Sequence, residues 1–128
     1  MKIKLHIFVI SAFLLVFGGC AAAGFAQAEP IMTGAYAKAE ISDSNIVTAA
    51  NFAVRKQGRT TRSNIRLVAV KSAETQIVAG MNYRLCIEVS VKKKGRKTAA
   101  QFVQAVVYRS LKDVFSLTSW TPEACTEQ

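Results

Sequence analysis

The chain has 128 residues, of which 17 are Lys or Arg and 8 are Asp or Glu. This length is typical of one small domain, and once a leader is removed it excludes two domains. The single histidine, His6, lies in that leader. Chemistries that need an imidazole as base, metal ligand or proton shuttle are therefore excluded for the rest of the chain, and we expect neither an enzyme nor a cofactor.

The first 28 residues have the features of a secretory signal peptide. Lys2 and Lys4 form a positive start, residues 7–17 are apolar apart from Ser11, and residues 26–28 form a small-x-small cleavage site. We expect a signal peptide over 1–28 and a secreted or periplasmic domain over 29–128. That domain carries 15 basic and 8 acidic residues, a formal charge of +7.

Two other interpretations of the leader stay open. Cys20 ends a sequence that loosely resembles a bacterial lipoprotein box, in which it would carry a lipid, although Phe17 stands where Leu is usual. A permanent anchor is disfavoured because the apolar run, near 11 residues, is shorter than the roughly 20 residues of a spanning helix. All three interpretations export the domain.

An amphipathic helix is predicted over residues 44–57. Good N-cap residues stand at Ser42, Asp43 and Ser44. Gly58 is expected to end the helix, and Phe52 lies at the border of its apolar face. The side chains that recur on that face are Ile46, Ala49, Ala50, Ala53 and Val54.

The rest of the chain is rich in β-strand patterns. Strands are predicted over residues 65–70, 81–91, 99–109 and 114–120, and Gly34 to Ile41 is either a first strand or an extended arm. The strand over 81–91 is the clearest because apolar and polar residues alternate without a break. Short connections predict an antiparallel meander. The apolar face of this sheet must pack against another element, and the helix is the element available, so the predicted fold class is α+β.

Successive turns of a meander alternate between the two ends of the sheet. The turns at 76–80 and 110–113 therefore share one end, and 92–97 lies at the other. In the first of these turns Ile77, Val78 and Ala79 are apolar where water would reach them, which indicates a binding surface. Alternatively, they continue the flanking strands and the turn lies nearer 73–75.

Three landmarks carry a resemblance to a known family. Gln76 to Gly80 reads QIVAG, residues 51–54 read NFAV, and Gly34 lies 42 residues before Gln76. In this order and spacing they resemble the cystatins, the inhibitors of papain-like cysteine proteases. The resemblance covers nearly all of residues 31–125 and implies a sheet wrapped on one helix.

The resemblance also implies how the chain would act. It would be a reversible competitive inhibitor that plugs the protease groove with an N-terminal arm and two hairpin loops. Cystatins usually carry Pro-Trp on the second hairpin, whereas this chain has Ser110-Leu111, and we expect Trp120 on the last strand instead. The implied protease-binding residues are Met32, Thr33, Gly34, Gln76, Ile77, Val78, Ala79, Gly80, Ser110 and Leu111.

A disulfide between Cys86 and Cys125 stays open at this point. An oxidising compartment permits it, and Cys125 resembles the terminal cysteine of the family. Cys86, however, falls on the wet face of its strand, and a bridge would have to cross an intervening strand, roughly 10 Å, unless the tail folds back. Two unpaired thiols are the alternative. Neither a CxxC pair nor clustered carboxylates accompany the cysteines, so we expect no metal.

The turn at 92–97 is strongly basic, with Lys92, Lys93, Lys94, Arg96 and Lys97. Such a run attracts a polyanion such as nucleic acid, an anionic glycan or a membrane surface, or it is a solvated hairpin that protects the sheet from aggregation. The alternative function is therefore a non-inhibitory binding module with an anionic partner. We expect a monomer in either case.

Overall fold

A computed structural model describes residues 34–125, which form one helix and one antiparallel sheet. The strands follow the order β1-β2-β3-β4-β5 across the sheet, so that β2 to β5 are a meander and β1 lies at its edge. The predicted α+β class is confirmed. The elements are β1 (Tyr36–Lys38), α1 (Ser44–Thr61), β2 (Asn64–Val78), β3 (Gly80–Lys92), β4 (Ala99–Arg109) and β5 (Phe115–Pro122).

Helix α1 begins as predicted and ends later than predicted. The Asp43 carboxylate accepts a hydrogen bond from the Asn45 N–H at 2.7 Å, which makes Asp43 the N-cap. At the other end Arg62 has a left-handed backbone, and the Ser63 N–H donates to the Gly58 carbonyl at 3.0 Å. The prediction that Gly58 ends the helix is wrong. A Cβ at Gly58 would lie 3.0 Å from the Ser63 oxygen, so glycine allows the chain to close over the last turn.

Two β-bulges bend β2 around the helix. The pairing of β2 with β3 shifts between Leu67 and Ala69 and again between Val70 and Ser72, so the bulges lie at Val68 and Lys71. Each bulge adds one residue between consecutive inward side chains. The residues of β2 that pack on the core are therefore Ile65, Leu67, Val70 and Ala73. The prediction of a strand over 65–70 alone was too short, since its broken alternation reflects a bulge and not an end.

The core lies between α1 and the concave face of the sheet. All five predicted helix positions are buried, together with alternating residues of β3 and β4, which pair without a register shift. Phe52 flanks this core and contacts Phe115, with 5.5 Å between ring centroids. The fully enclosed side chains of largest volume are Ile46, Leu85, Ile87, Val89, Val103 and Val107.

A bulge also determines where Trp120 lies. On β5 the pairing with β4 shifts after Leu117, so that Val107 faces Leu117 while Val106 faces Ser119. The extra residue, Thr118, returns Trp120 to the core side, where it is half-buried. Trp120 pairs with Ala105 within the strand, which confirms that it does not lie at a hairpin tip.

The C-terminal tail folds back and forms the disulfide that the sequence left open. Glu123 takes a positive φ of 59° and donates its N–H to the Phe102 carbonyl at 2.8 Å, which turns the chain over β4. Cys125 then reaches Cys86, with 5.8 Å between the two Cα atoms. The bridge leaves Cys86 only 5% exposed, although it lies on the face of β3 away from the helix.

Within residues 34–125, no helix is both long and apolar enough to cross a membrane. The same residues contain no group of three or more His, Cys, Asp or Glu side chains placed to hold a metal ion.

We expect the Cys86–Cys125 disulfide to be a main source of stability. It closes a loop with a sequence separation of 39, and a cross-link of that span restricts the unfolded chain enough to stabilise the fold by about 2–4 kcal/mol. Urea unfolding of the oxidised protein and of the Cys86→Ser, Cys125→Ser double variant measures the difference. Thiol titration of the denatured, unreduced protein is the control, and two reactive thiols would contradict the pairing.

Candidate functional site

The first hairpin carries its apolar tip at one end of the sheet. Val78 pairs with Gly80, which leaves Ala79 at the apex, and the alternative turn near 73–75 is excluded because those residues lie within β2. Ile77 is 39% exposed and Val78 is 38% exposed. Two branched apolar side chains therefore meet solvent beside the apex.

Gly80 lets this tip pack against β4. Its φ is +115°, and a Cβ built there would lie 2.4 Å from the Arg109 carbonyl oxygen and 2.9 Å from the Tyr108 ring. No larger residue fits without moving the backbone. The Tyr108 hydroxyl donates a hydrogen bond to the Ala79 carbonyl at the apex. The neighbouring strand thus braces the tip from one side.

The second hairpin turn lies beside the first tip. The Ser110 hydroxyl accepts hydrogen bonds from the backbone N–H groups of Lys112 at 3.3 Å and Val114 at 3.1 Å, which close the turn. Leu111 is 82% exposed at its apex. A shallow cleft lined by Gly80, Ser110 and Leu111 lies between the two hairpins. We call this end of the sheet the loop edge.

Arg109 fixes the second turn to the rest of the fold. Its guanidinium donates to the Asp113 carboxylate at 2.6 and 2.8 Å, to the Asn45 side-chain oxygen at 3.0 Å and to the Tyr83 hydroxyl at 3.5 Å. The hydrogen bonds to Tyr83 and Asp113 raise the pKa of Arg109 above its ordinary value. One cation therefore links the turn to the start of α1 and to β3.

Gly34 joins the loop edge through Gln76. The Gln76 side-chain amide donates to the Gly34 carbonyl at 2.8 Å, and its oxygen accepts from the Asn82 side chain at 2.8 Å. The Gly34 N–H donates to the Ile77 carbonyl at 3.1 Å. The segment that leads into β1 is thus held beside the first hairpin tip. Met32 and Thr33, the other predicted arm residues, lie outside the described residues.

A stack of three side chains holds the edge strand β1 in place. The Arg84 guanidinium lies 3.9 Å from the centroid of the Tyr36 ring and donates to the Glu74 carboxylate at 2.6 Å. The hydrogen bond to Arg84 lowers the pKa of Glu74, and it raises the pKa of Arg84. Since β1 follows Gly34 directly, this stack also supports the position of Gly34.

The structure brings together every predicted protease-binding residue that it describes. Gly34, the tip at 76–80 and the turn at Ser110-Leu111 share the loop edge, whereas the basic turn at 92–97 lies at the other end of the sheet. Sequence reasoning missed the residues that brace this edge, Tyr108 and Arg109. Their only signal was their position at the end of a strand that leads into a functional turn.

Comparisons with known proteins agree with this architecture. Residues 38–123 match the cystatin-like family model SQAPI, described as an aspartic acid proteinase inhibitor. The chain is 29% identical over 119 residues to cysteine proteinase inhibitor 8 of Oryza sativa subsp. japonica, a match that covers 91% of this chain and 94% of the relative. It is 37% identical over 57 residues to cystatin-2 of Ornithodoros moubata, covering 44% of each chain.

Two solved structures are similar as well. The salivary cystatin of the soft tick Ornithodoros moubata superposes with a TM-score of 0.60 at 26% identity, covering 72% of this chain and 99% of that one. The chain belongs to the cystatin family. Dimeric human cystatin F matches the cystatin fold with a TM-score of 0.62 at 14% identity, over 84% of this chain and 99% of its own. The relatives of this cystatin are protease inhibitors, which confirms that it is not an enzyme.

The contact at Gly80 gives a direct test of how the tip is packed. We expect Gly80→Ala to destabilise this cystatin by about 2–4 kcal/mol, because the new Cβ must displace β4 in addition to the backbone strain. The matched control is Gly95→Ala, which also has a positive φ but no atom within 4 Å of the added Cβ, and which should cost about 1 kcal/mol. Urea unfolding compares the two, and equal losses would contradict the close packing.

The Glu74–Arg84 pair predicts a dependence of stability on pH. The pKa of Glu74 is lower in the folded protein than in the unfolded chain. The contribution of Glu74 to stability is therefore complete above the unfolded pKa of about 4.3, and it is lost as the pH falls through the folded pKa. Both side chains are 36% exposed, so we expect Glu74→Gln to cost only about 0.5–1 kcal/mol at pH 7 and less at pH 3. Urea unfolding at both values, with Glu40→Gln as control, measures this. A constant difference would contradict the ion pair.

Proposed function

We propose that this cystatin is a reversible, competitive inhibitor of papain-like cysteine proteases. The observation that carries the proposal is the loop edge, where the QIVAG tip and the Leu111 turn present apolar side chains side by side on a braced support. The name of the rice relative, a cysteine proteinase inhibitor, supports the same class of target. Met32 and Thr33 would extend the contact as an arm that leads away from Gly34.

The chemistry of the target explains why such an edge inhibits. A papain-like enzyme attacks with a thiolate that a neighbouring histidine activates. A hairpin whose apex is held by Tyr108 and Gly80 fills the groove without offering an extended peptide bond to that thiolate. Substrate is excluded, and the inhibitor is not cut. This mechanism needs no cofactor.

The affinity would come from apolar burial on a rigid support. Burying Leu111, which is 82% exposed, contributes about 1.5–3 kcal/mol. Val78 contributes less, because more than half of its surface is already covered in the free protein. Leu111 offers less area than the tryptophan that cystatins usually carry here, so the second hairpin would contribute less than in those relatives. Because hydrogen bonds hold both turns before binding, little conformational entropy is lost when the complex forms.

A second target class follows from the family model, whose description names an aspartic acid proteinase inhibitor. Aspartic proteases use two carboxylates that share a proton, and they contain no thiolate at the groove centre. We favour the cysteine class because the QIVAG sequence, which resembles that of cystatins, stands at an exposed tip. We also propose that residues 1–28 direct export as a signal peptide and that residues 29–128 act as a monomer outside the cytoplasm.

The decisive test is the titration of papain and of pepsin with wild type and with Val78→Asp. We expect wild type to inhibit papain and Val78→Asp to raise Ki at least about 100-fold, because a carboxylate would be carried into an apolar groove. The readout is steady-state hydrolysis of a peptide substrate, together with circular dichroism to show that the variant is folded.

Val68→Asp is the matched control. Val68 is 56% exposed at the first bulge of β2 and lies ten residues from Val78 along the chain. The control should change Ki less than twofold. Papain that keeps full activity in micromolar inhibitor, equal losses in both variants, or inhibition of pepsin alone would each overturn the proposal.

A further inference from the structure

The end of the sheet opposite the loop edge collects basic side chains from three segments. The hairpin between β3 and β4 supplies Lys92, Lys93, Lys94, Arg96 and Lys97, all of them exposed. The last turn and cap of α1 add Arg59 and Arg62, and β2 adds Arg66, which are exposed as well. We call this set the basic end. Arg59, Arg62 and Arg66 are distant from the hairpin in the sequence, and the fold places them at the same end of the sheet.

The charges of the basic end are not neutralised within the described residues. The ion pairs among the described residues join Lys71 to Glu88, Arg84 to Glu74 and Arg109 to Asp113. None of these pairs includes a residue of the basic end. Of the described acidic residues, only Glu123 lines a cleft at this end. Eight cations without an ion-pair partner among residues 34–125 produce a field that favours an anionic ligand.

Three shallow clefts surround the base of the hairpin, and polar groups line each of them. Lys92 and Arg66 share one cleft with Asn64, Ser90 and Thr98. Lys93 and Lys94 share a second with Arg62, Thr61 and Gln57. Lys93, Arg96 and Lys97 share a third with Gln101. The clefts therefore combine cations with hydroxyl and amide groups that both donate and accept hydrogen bonds.

We propose that the basic end binds an anionic polysaccharide. Sulfate or carboxylate groups of such a chain match the cations, and its sugar hydroxyls match the amides and hydroxyls of the clefts. Single-stranded nucleic acid fits less well, because Phe102 and Trp120, the aromatic residues that border the clefts, are half-buried and offer no free stacking platform. A membrane fits less well because no exposed large apolar residue lies in the hairpin or lines the clefts.

Binding at the basic end leaves the loop edge free. Strand β3, with 13 residues, spans the distance between them, about 40 Å at the usual rise per residue. A polysaccharide could therefore hold the protein in place while a protease binds at the other end. The polysaccharide site does not depend on the protease class or on inhibition itself.

The test is the affinity of the protein, as processed by the expressing cell, for heparin at several salt concentrations. Lys93, Lys94 and Lys97 are changed together to Gln, and the matched control changes Lys38, Lys56 and Lys112, which are exposed but line none of the three clefts. We expect the first variant to lose at least tenfold in affinity and to show a shallower salt dependence. The control should change less than twofold.

Three results would overturn the polysaccharide site. They are no binding of heparin by wild type, equal losses in the two variants, and tighter binding of duplex DNA or phosphatidylserine vesicles than of heparin at equal charge. Papain inhibition, measured on the Lys93, Lys94, Lys97 variant with and without heparin, separates this proposal from the inhibitory one. We expect Ki to match wild type in both conditions.

Discussion

The close packing of one helix face against a curved sheet is the constraint on which the other features depend. Ala49, Ala50 and Ala53 are fully buried, and side chains this small bring the helix backbone close to the strands. A flat sheet could not contact the helix along its whole width. The bulges of β2 and β5 increase the local bend and twist, so that the outer strands wrap around the helix.

This packing also determines the position of the loop edge. Because β3 and β4 pair without a register shift, the ends of the two strands stay level, and both hairpin turns emerge at the same height. Arg109 then connects the second turn to Asn45 at the start of α1. The helix, which has no direct part in the proposed binding surface, therefore sets where Leu111 lies.

The first tip is held by a different set of contacts, which involve its backbone. Gly80 removes the side chain that would separate the tip from β4, and Tyr108 occupies the space with a ring that reaches the Ala79 carbonyl. Val78 is thus exposed on a segment that has little freedom to withdraw.

The sequence predicted the periodic parts of the fold and missed the parts that depend on contacts between distant residues. The helix face and the strand over 81–91 follow from spacing alone, whereas the length of β2 does not, since the bulges at Val68 and Lys71 interrupt its alternation. Gly58 suggested a stop because glycine commonly follows a helix, but its carbonyl is the acceptor that closes the final turn. The braces at Tyr108 and Arg109 join residues up to 64 positions apart, and no local pattern contains them.

The distribution of charge separates the two ends of the molecule. At the loop edge Arg109 is paired with Asp113, and Lys112 is the other charged residue of the second turn. At the basic end the lysines have no such partner among the described residues. An apolar groove would exclude unpaired cations because of their desolvation cost, whereas a polyanion attracts them. The two ends are therefore suited to partners of different chemistry.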